Sequence, residues 1–457
     1  MREEKVYDLV IIGAGSGGYE GAIYAKRHKL QNVALIELSR ETLGGNCLNR
    51  GCIPSKHLRH GAYILEKISS SEQFGFRVKS VEFSIKDLSY HRNRIITTIR
   101  ENFEKLLSQL GVDLYFGKAR LLSPNEILLE GTSKTIKTKN ILLATGSSPK
   151  HYGFSVNQRR IFDTDGIWSL DFIPKKLLIV GGGVVGVEFA YIFQMYGSNV
   201  TLIELKERLM PTPYIPEESS RFLTRKLKKI GVDVKLNTSV LDVKELPDSV
   251  FVKFSNGQED NFDCVLIALG RSPNTSDLGL KDLGIKLLGD FIDINPFCQT
   301  SINNIYACGD ITSPLMLAHK SMHQARVAVD NILGINSKKE EDIFIPRIVY
   351  SAYEIASFGI SQDEAEEIDD AKIGVISFST NPKAMDDGEA EGFVRVICSK
   401  DGKILGCHIL GPCAGELLHQ VLHIYRANLD AHSFSRSLFT HPSLSESVVQ
   451  AFELALL

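Results

Sequence analysis

The sequence predicts an α/β protein in three parts: two doubly wound parallel-sheet units and a smaller C-terminal α+β unit. Three observations carry that prediction. A glycine-rich turn between an apolar strand and a helix occurs twice, at Gly13 and at Gly181. A chain of 457 residues exceeds what one hydrophobic core ordinarily organises. Beyond Ile343 the apolar pattern changes to alternation, the mark of antiparallel strands.

The first unit opens with strand Leu9–Ile12, then Gly13-Ala14-Gly15-Ser16-Gly17-Gly18, a helix, and a strand ending at Glu37. The second repeats the plan: strand Leu177–Val180, Gly181-Gly182-Gly183-Val184-Val185-Gly186, a helix, and a strand ending before Glu204. Both match the Rossmann dinucleotide fingerprint. Gly13 and Gly181 allow the tight turn, Gly15 and Gly183 let a pyrophosphate approach, and Gly18 and Gly186 let helix pack on strand. The pyrophosphate then rests on the helix N-terminus, while Glu37 and Glu204 stand where an acid binds an adenosine ribose hydroxyl. One such turn is weak evidence; two in the same strand–turn–helix–strand setting are strong. Glu204 accepts from a 2′-hydroxyl and repels a 2′-phosphate, which favours NAD over NADP, although Lys206 and Arg208 lie close by.

The runs Ile141–Gly146 and Val265–Gly270 are strand-then-glycine endings where the chain leaves each nucleotide unit, and Tyr306–Asp310 is a third strand-to-turn cue. Lys338–Asp342 reads as a solvated linker. In the C-terminal unit, Gly392–Ile397 and Ile404–Leu410 read as antiparallel strands, and Ser361 with Glu364 as a capping box.

Hydrophobic residues make up 43% of the chain, charged residues 23%, and the net charge is −3. Nothing in this balance draws the protein to nucleic acid or an anionic membrane, and the apolar runs are far short of a membrane span. Met1–Tyr7 is short and mixed in charge, with no leader or transit pattern, and points to the cytoplasm. No metal site is assigned. Of eight cysteines, Cys264, Cys298, Cys308, Cys398, Cys407 and Cys413 read as buried small hydrophobes.

Cys47 and Cys52 differ. In a regular helix residues five apart are separated by about 7.5 Å along the axis. A disulfide needs Cα atoms within about 4.4–6.8 Å. They can bridge only if the segment bends, and Gly44, Gly45 and Gly51 permit that. So small a loop stabilises little, which makes a redox role the better reading. Lys56, four residues after Cys52, shares its helix face, where its charge can stabilise a thiolate. Near the C-terminus His441-Pro442-Ser443-Leu444-Ser445-Glu446 offers a base suited to moving a thiol proton and a carboxylate to orient it, across a turn begun by Pro442.

The stretch Gly44–Lys56, the paired fingerprints and the Tyr306–Asp310 turn resemble the flavin-dependent pyridine nucleotide–disulfide oxidoreductases over essentially the whole chain. Cys-Leu-Asn-Arg-Gly-Cys-Ile-Pro-Ser-Lys is most similar to the dihydrolipoyl dehydrogenases among them; Arg50 replaces a commoner Val, and Ser443 a commoner Thr. The resemblance implies an FAD-binding domain over 1–148 completed by 271–342, an NAD-binding domain over 149–270, and a C-terminal dimerisation domain over 343–457. It implies that Cys47 attacks substrate, that Cys52 faces the flavin, that Lys56 pairs with Glu188, and that His441 with Glu446 serves the disulfide of the other subunit. FAD, non-covalent and one per subunit, would be held by Gly13, Gly15, Gly18, Glu37, Lys56, Gly117, Thr145, Gly146 and Asp310, with Met316, Leu317, Ala318 and His319 lining it. NAD would be held by Gly181, Gly183, Gly186, Glu204, Val240 and Gly270. The implied reaction is oxidation of protein-bound dihydrolipoamide by a homodimer, with lipoyl domains of acyltransferases or glycine-cleavage carriers as partners. An NADPH-driven disulfide reductase and a non-catalytic flavoprotein scaffold are the competing readings.

Overall fold

The computed structural model describes residues 5–132 and 134–457; residues 1–4 of the N-terminal stretch read for leader signals lie outside the described residues. Apolar β1 (Val6–Ile12) leads through the first glycine turn into α1 (Ser16–Arg27) and back to β2 (Val33–Glu37), which pairs parallel with β1. Two helices, α2 (Gly45–Arg50) and α3 (Cys52–Ser69), then α4 (Ile85–Gln109), cross to β3 (Val112–Phe116), parallel to β2. An antiparallel run of β4 (Ala119–Ser123), β5 (Glu126–Leu129) and β6 (Lys134–Leu143) returns the chain to the other side of β1. The sheet order is β3-β2-β1-β6-β5-β4. Leu9, Ile11, Leu35 and Leu142 are wholly buried, as strands covered on both faces require.

The chain leaves through β7 (Ser147–Pro149) and builds a second parallel sheet. Its elements are β8 (Ile161–Asp163), β9 (Lys176–Val180), α5 (Val184–Met195), β10 (Asn199–Ile203), α6 (Glu217–Lys229) and β11 (Asp233–Lys235). A three-stranded meander follows, β12 (Val240–Glu245), β13 (Val250–Phe254) and β14 (Glu259–Phe262), and then β15 (Cys264–Ile267) closes the order β11-β10-β9-β15-β8. The exit, β16 (Arg271–Pro273), runs antiparallel to β7, so the two crossings lie side by side. After a hairpin of β17 (Leu287–Leu288) and β18 (Phe291–Ile292), β19 (Ile305–Ala307) joins β6 of the first sheet and α7 (Ala318–Ile332) packs on α1.

The C-terminal unit is an antiparallel sheet ordered β20-β21-β24-β23-β22, from β20 (Arg347–Tyr350), β21 (Glu354–Gly359), β22 (Lys372–Ser377), β23 (Phe393–Cys398) and β24 (Ile404–Gly411). Between and after these strands come α8 (Gln362–Glu366), α9 (Pro382–Asp386), α10 (Ala414–Arg426), α11 (Ala431–Ser435) and α12 (Ser445–Ala455). Ser361 and Glu364 form the expected capping box at the start of α8. Phe358, Phe378 and Phe452 are fully buried between sheet and helices, each contributing roughly 1.5–3 kcal/mol of transfer free energy. Five of the six background cysteines are buried. Cys413 corrects that reading: it is exposed, because it sits in left-handed backbone at the N-cap of α10, outside the core contacts.

Candidate active site

The two glycine turns are built alike. Gly13 and Gly181 have φ of +99° and +109°, and a Cβ there would lie 2.3 Å from Ala144 O and 2.5 Å from Ala268 O. A Cβ on Gly18 would meet Gly13 O at 1.7 Å, and one on Gly186 would meet Gly181 O at 1.9 Å, so helix and strand touch through bare backbone. The middle glycines leave room: Gly15 faces Gly45 Cα at 3.8 Å, and Gly183 faces nothing within 4 Å. Neither α1 nor α5 has a side-chain cap, which leaves the first amides of each for an anion. Glu37 Oε2 accepts from Ala14 N–H at 2.6 Å, and Glu204 Oε2 accepts from Gly182 N–H at 2.8 Å. Each turn thus has the cradle, the free amides and the buried acid that a dinucleotide needs.

The other residues nominated for FAD lie on the first sheet and its return. Gly117 donates its amide to Glu37 O at 2.8 Å, and Thr145 donates to Asn274 O at 2.7 Å, just before Gly146. Asp310 accepts from the Ser147 hydroxyl at 2.6 Å. Met316 and Leu317 lead into the first turn of α7, which holds Ala318 and His319; the exposed His319 bonds Pro346 O at 2.6 Å. On the NAD side, Val240 opens β12, and Gly270 accepts from Lys150 N–H at 2.9 Å between β15 and β16.

The redox segment is bent as the disulfide argument requires. Gly51, with φ −134° and ψ −112°, separates α2 from α3, and Cys47 and Cys52 face each other across the break as free thiols. The Cys52 thiol donates to Cys47 and lowers it to about 7, with help from the Ser16 hydroxyl, the Cys52 amide and the Lys56 charge, and against the cost of burial. Cys52 itself is held well above the ordinary thiol range, because it gives that hydrogen bond and a second thiolate would stand beside the first. Burial, and then the charge of Cys47, push Tyr19 on α1 up to about 12. Nothing in the sequence pattern marked Ser16 or Tyr19, because only the packing of α1 against α2 and α3 brings them to the pair.

Lys56 Nζ lies 2.8 and 3.0 Å from the two carboxylate oxygens of Glu188, on α5. Glu188 also accepts from Tyr350 N–H at 2.9 Å, and Nζ stands 4.6 Å over the Tyr350 ring. This one contact therefore joins all three units of the chain. Tyr350 carried no sequence signal.

His441 Nδ1 is 2.9 Å from Glu446 Oε1, while Glu446 Oε2 accepts from Ser443 N–H at 2.7 Å. The imidazole first, and then that amide, hold the Glu446 carboxyl below its usual range. The route differs from the one expected. Helix α12 starts at Ser445 rather than at Pro442, so Glu446 reaches back from the first helical turn. The His441 side chain is 72% exposed.

Beside Glu204 a cavity of about 430 Å³ is lined by Lys206, Arg208, Thr212 and Asn237, among others. Arg208 is already committed: its guanidinium donates to the carbonyls of Met210, Thr212 and Ile215 at 2.8–3.3 Å. A larger hollow of about 600 Å³, beside Tyr7, Asp113 and Tyr115, contains none of the motif residues. Among the described residues no helix is long and apolar enough to cross a membrane.

Comparison with known proteins agrees with this architecture. Residues 7–329 match the family model described as pyridine nucleotide-disulphide oxidoreductase, and residues 345–452 match the dimerisation domain of the same family. The chain belongs to the pyridine nucleotide-disulphide oxidoreductase family, whose members work with FAD and a nicotinamide coenzyme. It is 35% identical to a dihydrolipoyl dehydrogenase of Chlamydia pneumoniae, over 96% of this chain and 95% of that one. A dihydrolipoyl dehydrogenase of Bacillus subtilis is 34% identical, with 97% of each chain covered. The solved structure of LpdA from Mycobacterium tuberculosis superposes with a TM-score of 0.91 at 24% identity, covering 98% of this chain and 99% of that chain, and shows the same fold.

Proposed function

We propose that the protein is an NAD-linked dihydrolipoyl dehydrogenase, oxidising protein-bound dihydrolipoamide to lipoamide with reduction of NAD and release of one proton. The observation that carries this reading is the Cys47–Cys52 pair, bent together at Gly51 with one thiol lowered to about 7. The dihydrolipoyl dehydrogenases 34–35% identical over nearly the whole chain support this substrate among the dithiols.

His441 starts the reaction. Its Nδ1–H is occupied by Glu446, which leaves Nε2 to take a proton from the substrate thiol. The substrate thiolate attacks Cys47 Sγ of the oxidised pair; the Cys47–Cys52 bond breaks and Cys52 leaves as a thiolate. The second substrate sulfur displaces Cys47, which completes the substrate disulfide. Lys56 supplies positive charge one helical turn from Cys52 and is fixed by Glu188. A bound FAD would supply the two-electron chemistry that links the Cys52 thiolate to NAD, and Lys56 is the residue whose charge would serve both thiolate and cofactor. Glu37 and Glu204 would hold the two adenosine ends. With Arg208 bound to carbonyls, a 2′-phosphate would meet Glu204 without that guanidinium to neutralise it, which supports NAD.

His441 is exposed and belongs to the C-terminal unit, so we assign it to the disulfide of a second copy, in a homodimer that serves lipoyl domains of 2-oxo-acid dehydrogenase or glycine-cleavage complexes. The cytoplasm, where thiols stay reduced, suits this chemistry. The test is steady-state turnover with dihydrolipoamide, offering NAD and NADP separately, against Cys47→Ser. NAD reduction that vanishes in the variant is the expected result. NADPH-driven reduction of another disulfide, with no dihydrolipoamide turnover, would replace this reading by the reductase one.

A further inference from the structure

Arg50 stands between the two cysteines, and it has a charged partner. Its NH1 lies 3.8 Å from Asp165 Oδ2, in the turn after β8. Asp165 is 17% exposed and takes a closer bond, 2.7 Å, from Arg271 NH1. Arg271 also donates to Ser147, Nε to the hydroxyl at 2.8 Å and NH2 to the carbonyl at 2.7 Å, with longer contacts to the Thr164 hydroxyl and the second Asp165 oxygen at 3.3 and 3.5 Å. Ser147 in turn donates to Asp310 at 2.6 Å and accepts from Asn46, the neighbour of Cys47, at 2.8 Å. The carbonyl of Arg50 accepts from Trp168 Nε1 at 2.7 Å.

These contacts form one connected network. It leaves the redox segment at Asn46 and Arg50, crosses both inter-unit strands β7 and β16, and ends on the aspartate of the flavin-side turn. We propose that Asp165, Arg271 and Arg50 are positioning residues: together they set the Cys47–Cys52 segment against the turn that carries Asp310, and so fix the thiolate relative to the flavin.

The inference rests on the redox reading of Cys47 and Cys52. Its physical basis is the fork geometry of Arg271, which meets Ser147 and Asp165 at once and leaves neither free to rotate. The mostly buried Asp165 carboxylate is held by the Arg271 guanidinium at 2.7 Å and faces the Arg50 guanidinium at 3.8 Å, so its charge attracts the redox segment toward the two crossings. Arg50 is the only one of the three on the redox segment itself; its side chain is about half exposed, so replacing it does not threaten the fold.

The test uses the FAD-loaded protein and the long-wavelength absorbance that appears when a thiolate faces oxidised flavin, read after two-electron reduction by dithionite and normalised to bound flavin. Arg50→Val and Asp165→Asn are expected to lower that band at least twofold, and Arg50→Lys to restore it, since a single-atom contact suits an ammonium. Arg271→Gln is expected to release flavin about tenfold more readily, because Ser147 and Asp310 lose their shared support. Fluorescence of Trp168, the single tryptophan of the chain, reports whether the segment has moved in each variant. Bands of wild-type strength in both Arg50→Val and Asp165→Asn overturn the inference alone. A wild-type protein with no such band overturns the redox reading, and the inference falls with it.

Discussion

Cys47 and Cys52 behave as one titrating unit, because the hydrogen bond that lowers the first raises the second. The reactive species of a thiol is its thiolate, so alkylation of Cys47 in the reduced protein must speed up as pH climbs through about 7 and level off above it. Cys52 is the leading cause of that lowering. In Cys52→Ala the midpoint therefore moves upward toward the ordinary thiol value, and at pH 7 the alkylation rate falls. Iodoacetamide labelling followed by mass spectrometry across pH 5–10 gives both curves; identical midpoints would remove Cys52 from the account. Little of this was visible in the sequence. The pair and Lys56 were legible from glycine-flanked spacing, but Ser16 and Tyr19 reach the thiols only because α1 packs there.

The glycine turns were legible because each glycine answers a backbone demand that no other residue meets. The structure separates those demands. A methyl group added at Gly186 would lie 1.9 Å from Gly181 O, whereas one at Gly183 would have nothing within 4 Å. Gly186→Ala must push α5 off β9, so it lowers thermal stability whether or not coenzyme is present. Gly183→Ala meets no protein atom and leaves the melting temperature of the coenzyme-free protein unchanged, yet its methyl occupies the space a pyrophosphate needs and raises KM for NAD. Melting curves and NAD titrations of the two variants decide this; an unchanged KM in Gly183→Ala would place the pyrophosphate elsewhere. Other elements were less legible. The start of α12 was misplaced because Pro442 is a common helix opener, while the bonds of Glu446 to Ser443 and His441 organise this end from inside the first turn.

The assembled chain divides its site among units that the sequence presents far apart. Lys56, Glu188 and Tyr350 meet from three of them, and Arg271 reaches Asp165 across the paired crossings β7 and β16. Local patterns do not encode such meetings, since they depend on how the sheets are set against one another. His441 with Glu446 was readable as a pair, and its 72% exposure leaves it open to the task proposed for it beyond its own chain. If that task is to serve the disulfide of a second copy, two damaged chains can repair each other. Cys47→Ser and His441→Gln homodimers each lack one necessary group at both sites. A hybrid of the two has one site with both groups intact and one with neither. Unfolding and refolding an equimolar mixture should restore about a quarter of wild-type activity, since about half of the dimers are hybrid and each has one working site. Homodimers mixed without exchange of subunits should stay inactive. No recovery after verified exchange would mean that the base and the disulfide act within one chain, and the His441–Glu446 pair would then need a route to Cys47 inside the protomer.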